Sequence, residues 1–343
     1  MRAVRTGHSH SIQRFDQAAS LLGKLGGVLK KIPSDIKEET QEIRLRTGRP
    51  VTLCTHRRTW FLTGAGALLP QDSELCPITD SAQMQEVFQG LCSYSVYSHE
   101  QEIREGYLVL RGGHRAGICG TASLHQGAIQ SLRDISSICI RIAREKPGAA
   151  DEIFRRLGHL ETGLLIAGAP ASGKTTVLRD LARQLASGGR EGYRRVAVVD
   201  QRGELGNVFQ GVPGNDLGIS SDLLSGYPKA EGIQQAVRVL SPEYIICDEL
   251  GGEEDARAVE AGMFSGVTMI ATLHAGSRSE LCRRPVCRRM LETGAFGYVV
   301  LLEGRQEPGK ISGILKVGDL LDEAAGAYFP DGGMRRYRAG GVA

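Results

Sequence analysis

Short apolar–polar alternation runs through residues 40–142. Ile43 and Leu45 share one face, a Thr-Gly-Arg-Pro turn follows, and Val51 and Leu53 resume the pattern. Ile138, Ile140 and Ile142 alternate with Arg141 and its neighbours, as in a half-buried strand. In between, TDSAQMQEVFQGLC offers Asp80 or Ser81 as N-cap, with Met84, Val87, Phe88 and Leu91 at i, i+3, i+4, i+7, which predicts a helix. GYLVLRGGHRAGICGTA predicts a β-hairpin turning at Gly112-Gly113. Helical character is also expected before residue 35. These elements predict an α+β domain over 1–145.

Beyond EKPGAAD at 145–151, which predicts a linker with Asp151 as a helix cap, the pattern changes. Wholly apolar runs now alternate with helical stretches. TGLLIAG, RRVAVVD, EYIICDE, GVTMIATLHAG and GYVVLLE predict strands. Residues 174–186, GIQQAVRVL, 253–264 and 278–292 predict helices. Apolar strands separated by helices imply a parallel sheet covered by helices on both faces. That domain is expected over 152–325, with a frayed tail over 326–343.

Composition narrows this picture only slightly. In 343 residues, 41% are hydrophobic and 24% charged, a globular profile with room for two domains. A net charge of +3 implies no general affinity for nucleic acid or membranes. LLGKLGGVL after Arg2 and Arg5 is too short and broken for a signal peptide or a membrane span. Cysteines 54, 76, 92, 119, 139, 247, 282 and 287 form no C-x-x-C pair, which points to core or incidental thiols in a reducing compartment rather than a disulfide framework or zinc site.

The candidate chemistry begins with Gly168-Ala169-Pro170-Ala171-Ser172-Gly173-Lys174-Thr175-Thr176, a complete G-x-x-x-x-G-K-[ST] motif between an apolar strand and a helix. Loop amides and a helix N-terminus suit a nucleotide polyphosphate. Lys174 would reach the β- and γ-phosphates of ATP, and Thr175 would ligate Mg²⁺. Asp248 closes an apolar strand, where it can hold the Mg²⁺ shell, and Glu249 can polarise the attacking water. Thr272 and His274 end the next strand, where a polar sensor of the terminal phosphate belongs, and His274 could touch the phosphate or Glu249. The intervening strand and the adjacent acid pair indicate an α/β P-loop NTPase of the RecA/AAA-like branch, and no guanine-selecting N-K-x-D follows. Arg111, Arg115, Arg141, Arg144 and Arg202 are candidates for completing a neighbouring subunit's site, or else form a solvated basic face.

With EIRLRTGRP, GGHRAGICG, VVDQRGE, YPKAEG and TLHAG in place, the chain from about residue 40 to 305 resembles the stage III sporulation protein AA family, ATPases of endospore-forming bacteria related to type II and type IV secretion and pilus-retraction ATPases. The resemblance implies an ATPase that is cytoplasmic and peripheral to the membrane, on the mother-cell side of the forespore. It further implies a homo-oligomer, a hexameric ring, docked to membrane-embedded sporulation channel proteins. Gln201 and Gly203 depart from the family's VDERSE, and Ser220 and Gly252 replace arginines, which would weaken hydrolysis or coupling between subunits. Two other readings remain open: a nucleic-acid-associated ATPase, disfavoured by the lack of aromatic–basic interleaving, and a nucleotide-gated scaffold with weak hydrolysis.

Overall fold

The computed structural model describes residues 7–125, 127–189 and 192–326, which form two compact units. One comprises residues up to 148 together with 202–217, and the other 149–201 and 218 onward. The expected tail beyond residue 326, and Arg2 and Arg5, lie outside the described residues.

In the first unit, helices α1 (Gly7–Ser20), α2 (Gly23–Leu29) and α3 (Ser34–Glu39) precede strand β1 (Thr40–Arg46). Then follow β2 (Arg49–Pro50), β3 (Thr52–Thr55), β4 (Thr59–Leu62), β5 (Leu68–Leu69), β6 (Ile78–Thr79) and helix α4 (Ser81–Leu91). Helix α5 (Glu100–Arg104) leads to β7 (Tyr107–Val109), β8 (Arg115–His125) and β9 (Ala128–Arg141). Seven strands make one antiparallel sheet, ordered β5-β4-β3-β1-β9-β8-β7, while β2 pairs with β6. Ile43 faces Leu53 and Ile140 across β1, so the alternating residues meet in one core. On α4 the residues at helical spacing, Met84, Val87, Phe88 and Leu91, are buried. Asp80 caps the helix in a reciprocal pair with Gln83, an arrangement worth about 1 kcal/mol.

Segment 202–217 forms a small hairpin, β12 (Val208–Phe209) with β13 (Val212–Pro213), and packs with this unit, whereas its place in the chain puts it inside the expected 152–325 domain. Its attachments are polar and in part buried. Arg14 donates to the carbonyls of Gly112 (2.7 Å) and Gly214 (3.0 Å) and pairs with Glu145, whose carboxylate also accepts from the Asp216 amide at 2.9 Å. Asn207 donates to the Gly113 carbonyl. Beside them His114, fully buried, accepts the Ala143 amide on Nδ1 at 3.0 Å. Burial, and then the charges of Arg14 and Arg144, push its pKa down to about 3, so this imidazole is neutral.

The second unit begins with α6 (Asp151–Leu157) and β10 (Gly163–Ala167), followed by α7 (Lys174–Ala186) and β11 (Val196–Asp200). After the excursion of 202–217 come β14 (Ser221–Ser225), α8 (Lys229–Leu240), β15 (Tyr244–Cys247), α9 (Glu253–Phe264) and β16 (Thr268–Leu273). Helices α10 (Arg278–Arg283) and α11 (Pro285–Glu292), then β17 (Phe296–Leu302), β18 (Ile311–Lys316) and α12 (Val317–Gly326), complete it. The sheet runs β14-β11-β15-β16-β10-β17-β18, parallel throughout except for β18. Every residue of β10, β11 and β15 is buried, as in a parallel sheet covered on both faces.

Three local expectations change. Asp151 lies in the first turn of α6 rather than capping it; Asp180 accepts the Ala150 amide (2.9 Å), and Asp151 accepts from Gln184 (2.7 Å). The helix expected over 278–292 breaks at Arg284, whose extended backbone (φ −75°, ψ 124°) is what a following proline imposes. Strand β18 closes the sheet antiparallel, a departure from an all-parallel sheet. All eight cysteines are free thiols.

Candidate functional site

The phosphate loop joins β10 to α7 at the carboxyl edge of the parallel sheet, the edge where open α/β sheets bind ligands. Its backbone admits little substitution. Gly173 has φ +91°, and a Cβ there would lie 2.5 Å from the Gly309 amide nitrogen. At Gly168 a Cβ would sit 2.3 Å from Ser172 Oγ. That hydroxyl is buried with no hydrogen-bond partner among the described residues, a polar group inside a loop of amide donors. Lys174, the first residue of α7, donates to the carbonyls of Gly168 (2.9 Å) and Ala169 (3.0 Å) and lies 3.3 Å from His274 Nδ1. Burial lowers its pKa, while Asp248 and Glu249 oppose that shift and favour the charged ammonium.

Strands β15 and β16 lie beside β10, so their carboxyl ends bring the remaining residues to this loop. Thr175 Oγ1 donates to Asp248 Oδ2 at 3.1 Å. Thr272, fully buried at the end of β16, donates its hydroxyl to Asp248 Oδ1 and accepts the Glu249 amide at 2.7 Å. Glu249 has φ +46°, a left-handed conformation costing a non-glycine residue roughly 1 kcal/mol or more. Thr272 holds its amide, and Lys229 Nζ donates to its carbonyl, so the strained residue is fixed at both ends. Its carboxylate lies 3.4 Å from His274 Nε2. With Nδ1 facing the Lys174 ammonium, the Nε2 side of the His274 ring is the one turned toward Glu249.

The arrangement suits a magnesium nucleotide. Thr175 Oγ1 and Asp248 offer two hard oxygen ligands, and Mg²⁺ ordinarily takes few protein ligands, keeping water and phosphate for the rest. Among the described residues no cluster of three or more His, Cys, Asp or Glu side chains is poised for a protein-only metal site. The loop and the amino end of α7 present the amides an anion needs.

Lys174, Thr175, Asp248, Glu249 and His274 thus come together as their order in the sequence implies. The role of Lys229 as a clamp on Glu249 was not legible; its only signal was its place in the YPKAEG segment. Arg144 leaves the group of candidate trans-acting arginines. It is spent on the carbonyls of Ser11 (2.5 Å), Lys37 (2.7 Å) and Thr40 (2.6 Å), and burial lowers its pKa. Arg141 pairs with Glu42, Arg115 lies over the Tyr107 ring, and Arg111 is exposed. Ser220 precedes β14 at the amino edge of the sheet, bonded to the carbonyls of Ala186 (2.7 Å) and Arg194 (2.6 Å). A five-residue strand, roughly 17 Å, separates it from the carboxyl edge of its own strand, so Ser220 does not touch the glycine loop.

The glycine loop, the parallel sheet and the paired acids at its carboxyl edge define the P-loop NTPase fold of the RecA/AAA-like type. The pilus retraction motor PilT with bound ADP shares this fold: TM-score 0.50, 16% identity, covering 78% of this chain and 76% of that one. The chain belongs to the family described as Sporulation stage III, protein AA, whose model matches residues 13–319. Stage III sporulation protein AA of Bacillus subtilis (strain 168) is 37% identical over 304 residues, spanning 87% of this chain and 94% of that protein. Protein SEEDLING PLASTID DEVELOPMENT 1 of Arabidopsis thaliana is 32% identical over 176 residues, 50% of this chain and 25% of that protein.

Proposed function

We propose that this protein is an ATP-hydrolysing subunit of a hexameric ring that energises or assembles the mother-cell to forespore channel during endospore formation. The observation that carries the hydrolytic part is the convergence of Lys174, Thr175, Asp248, Glu249 and His274 on one edge of the sheet. In this reading residues 168–176 bind the triphosphate of ATP, and Lys174 sets its charge against the β- and γ-phosphates. Thr175 and Asp248 would hold Mg²⁺, which when bound neutralises charge on the phosphate oxygens. Glu249 orients and deprotonates the attacking water, and His274 positions that carboxylate through its Nε2–H. Family membership supports the sporulation setting. Among the described residues no helix is long and apolar enough to cross a membrane, which fits a cytoplasmic subunit docked on membrane-embedded channel proteins.

The test is steady-state phosphate release from ATP by the full chain, alone and with membranes of sporulating cells. Hydrolysis that needs Mg²⁺ and falls to background on chelation is expected. ATP binding without turnover in either setting would make the protein a nucleotide-gated scaffold. Recovery of no channel component with the tagged protein from those membranes would remove the sporulation role.

Thr272 supplies a second, finer test. Thr272→Val keeps the volume but removes the hydroxyl that holds both Asp248 and the Glu249 amide. By analogy with residues that orient metal ligands, hydrolysis should fall about 10- to 100-fold. The Mg²⁺ concentration giving half-maximal rate should rise with it; an unchanged Mg²⁺ requirement would show that Thr272 does not set the position of Asp248.

A further inference from the structure

The turn between β17 and β18, residues 303–310, stands against the phosphate loop at both of its stems. The Gly309 amide donates to the Ser172 carbonyl at 2.7 Å, and Pro308 and Gly309 crowd the space beside Gly173. At the other stem, Leu302 Cβ lies 3.3 Å from where a Cβ on Gly168 would be. The turn itself is tied shut: the Glu303 amide donates to the Lys310 carbonyl at 2.8 Å, and Lys310 Nζ reaches Glu307 (2.6 Å) and Glu303 (3.2 Å). Its other cation, Arg305, is exposed and makes no ion pair or hydrogen bond among the described residues.

Strand order gives this turn its meaning. β15 and β16, which end in the acids, Thr272 and His274, lie on one side of β10, and β17 lies on the other. β17 runs parallel to β10 with Leu301 level with Ala167, so its turn emerges at the same edge as the phosphate loop. A triphosphate in that loop must present its terminal phosphate to Glu249 and His274. On the ATP-binding reading its α-phosphate and nucleoside would then lie on the opposite side, the side of β17 and residues 303–310.

We propose that the 303–310 turn is the nucleoside-reading wall of the site, with Arg305 laying its planar guanidinium against the purine ring. This rests on the ATP-binding reading above and adds the part of the site that distinguishes a nucleotide from a bare polyphosphate. Lys310, drawn back onto Glu303 and Glu307, holds the turn's shape, and Arg305 is the turn's remaining, exposed cation.

Calorimetric titration of the full chain with ADP and with inorganic tripolyphosphate separates the two functions. Arg305→Ala should weaken ADP binding about ten-fold, the scale of a cation–π contact, and leave tripolyphosphate within about two-fold of wild type. Arg305→Lys should fall between, keeping the charge but not the plane. Equal weakening of both ligands would make the turn a brace for the phosphate loop and overturn the assignment, as would unaltered ADP affinity. Wild-type protein that binds neither ligand would overturn the ATPase reading itself; tight wild-type binding with an unchanged ratio in Arg305→Ala would sink only the role of the turn.

Discussion

Replacing Glu249 by glutamine is expected to lower ATP turnover roughly 100- to 1,000-fold, the contribution of a well-placed general base, while ADP binds within about two-fold of wild type. The substitution spares what holds residue 249 in place. Its amide still meets Thr272 Oγ1, its carbonyl still takes Lys229 Nζ, and Asp248 keeps its bonds to Thr175 and Thr272. Only the carboxylate beside His274 Nε2 is lost, and with it the proposed base for water. Steady-state rates paired with equilibrium ADP binding make the check. A rate within two-fold of wild type would place the base elsewhere, whereas joint loss of rate and binding would show that Glu249 shapes the nucleotide pocket rather than the hydrolytic step.

The second large effect is on stability, far from the chemistry. Arg14→Ala should destabilise the first unit by about 3–5 kcal/mol, the usual result of stripping one partner from a buried ion pair. Arg14 is 7% exposed and Glu145 is comparably enclosed; truncation leaves that carboxylate with only His10 Nε2 (2.8 Å) and the Asp216 amide (2.9 Å) beside it. It also strips a donor from the carbonyls of Gly112 and Gly214, the contact that fastens segment 202–217 to the N-terminal helix. In a domain of this size such a loss lowers the melting midpoint by about 10 °C. Urea unfolding followed by circular dichroism, compared with the double variant Arg14→Met/Glu145→Leu, provides the check. The double variant should recover part of the loss, because it leaves no stranded carboxylate, though the Asp216 amide loses its acceptor. A single variant within about 1 kcal/mol of wild type would mean that Glu145 finds other compensation.

How much of this was legible in the residues follows from how local each cause is. α7 and α9 have the bounds that their motifs predict, because glycine positions, caps and apolar spacing act within a few residues. The meeting of Lys174, Thr175 and Asp248 was equally readable, since strand ends in a parallel sheet share one edge. The GGHRAGICG motif hid its cause: His114 is a buried neutral core residue, and nothing in its neighbours in sequence announces Arg14 or Arg144 above it. Arg144 read as a functional arginine because its partners are backbone carbonyls that no side-chain pattern encodes. The contact of Gly309 with Ser172 joins positions more than a hundred residues apart and depends on the register of β17 beside β10.

The placement of residues 202–217 bears on how the chain is made. Synthesis runs from the N-terminus, so the first unit lacks its last segment until the ribosome has already passed β10 and β11 of the second. β10 in turn waits: its neighbours begin at Thr268 and Phe296, about a hundred residues later. At roughly 5–20 residues per second, the fully apolar β10 remains without its partners for several seconds. Neither unit can finish before the other has started, and the growing chain passes through a stage in which the phosphate loop exists but the sheet that shapes it does not.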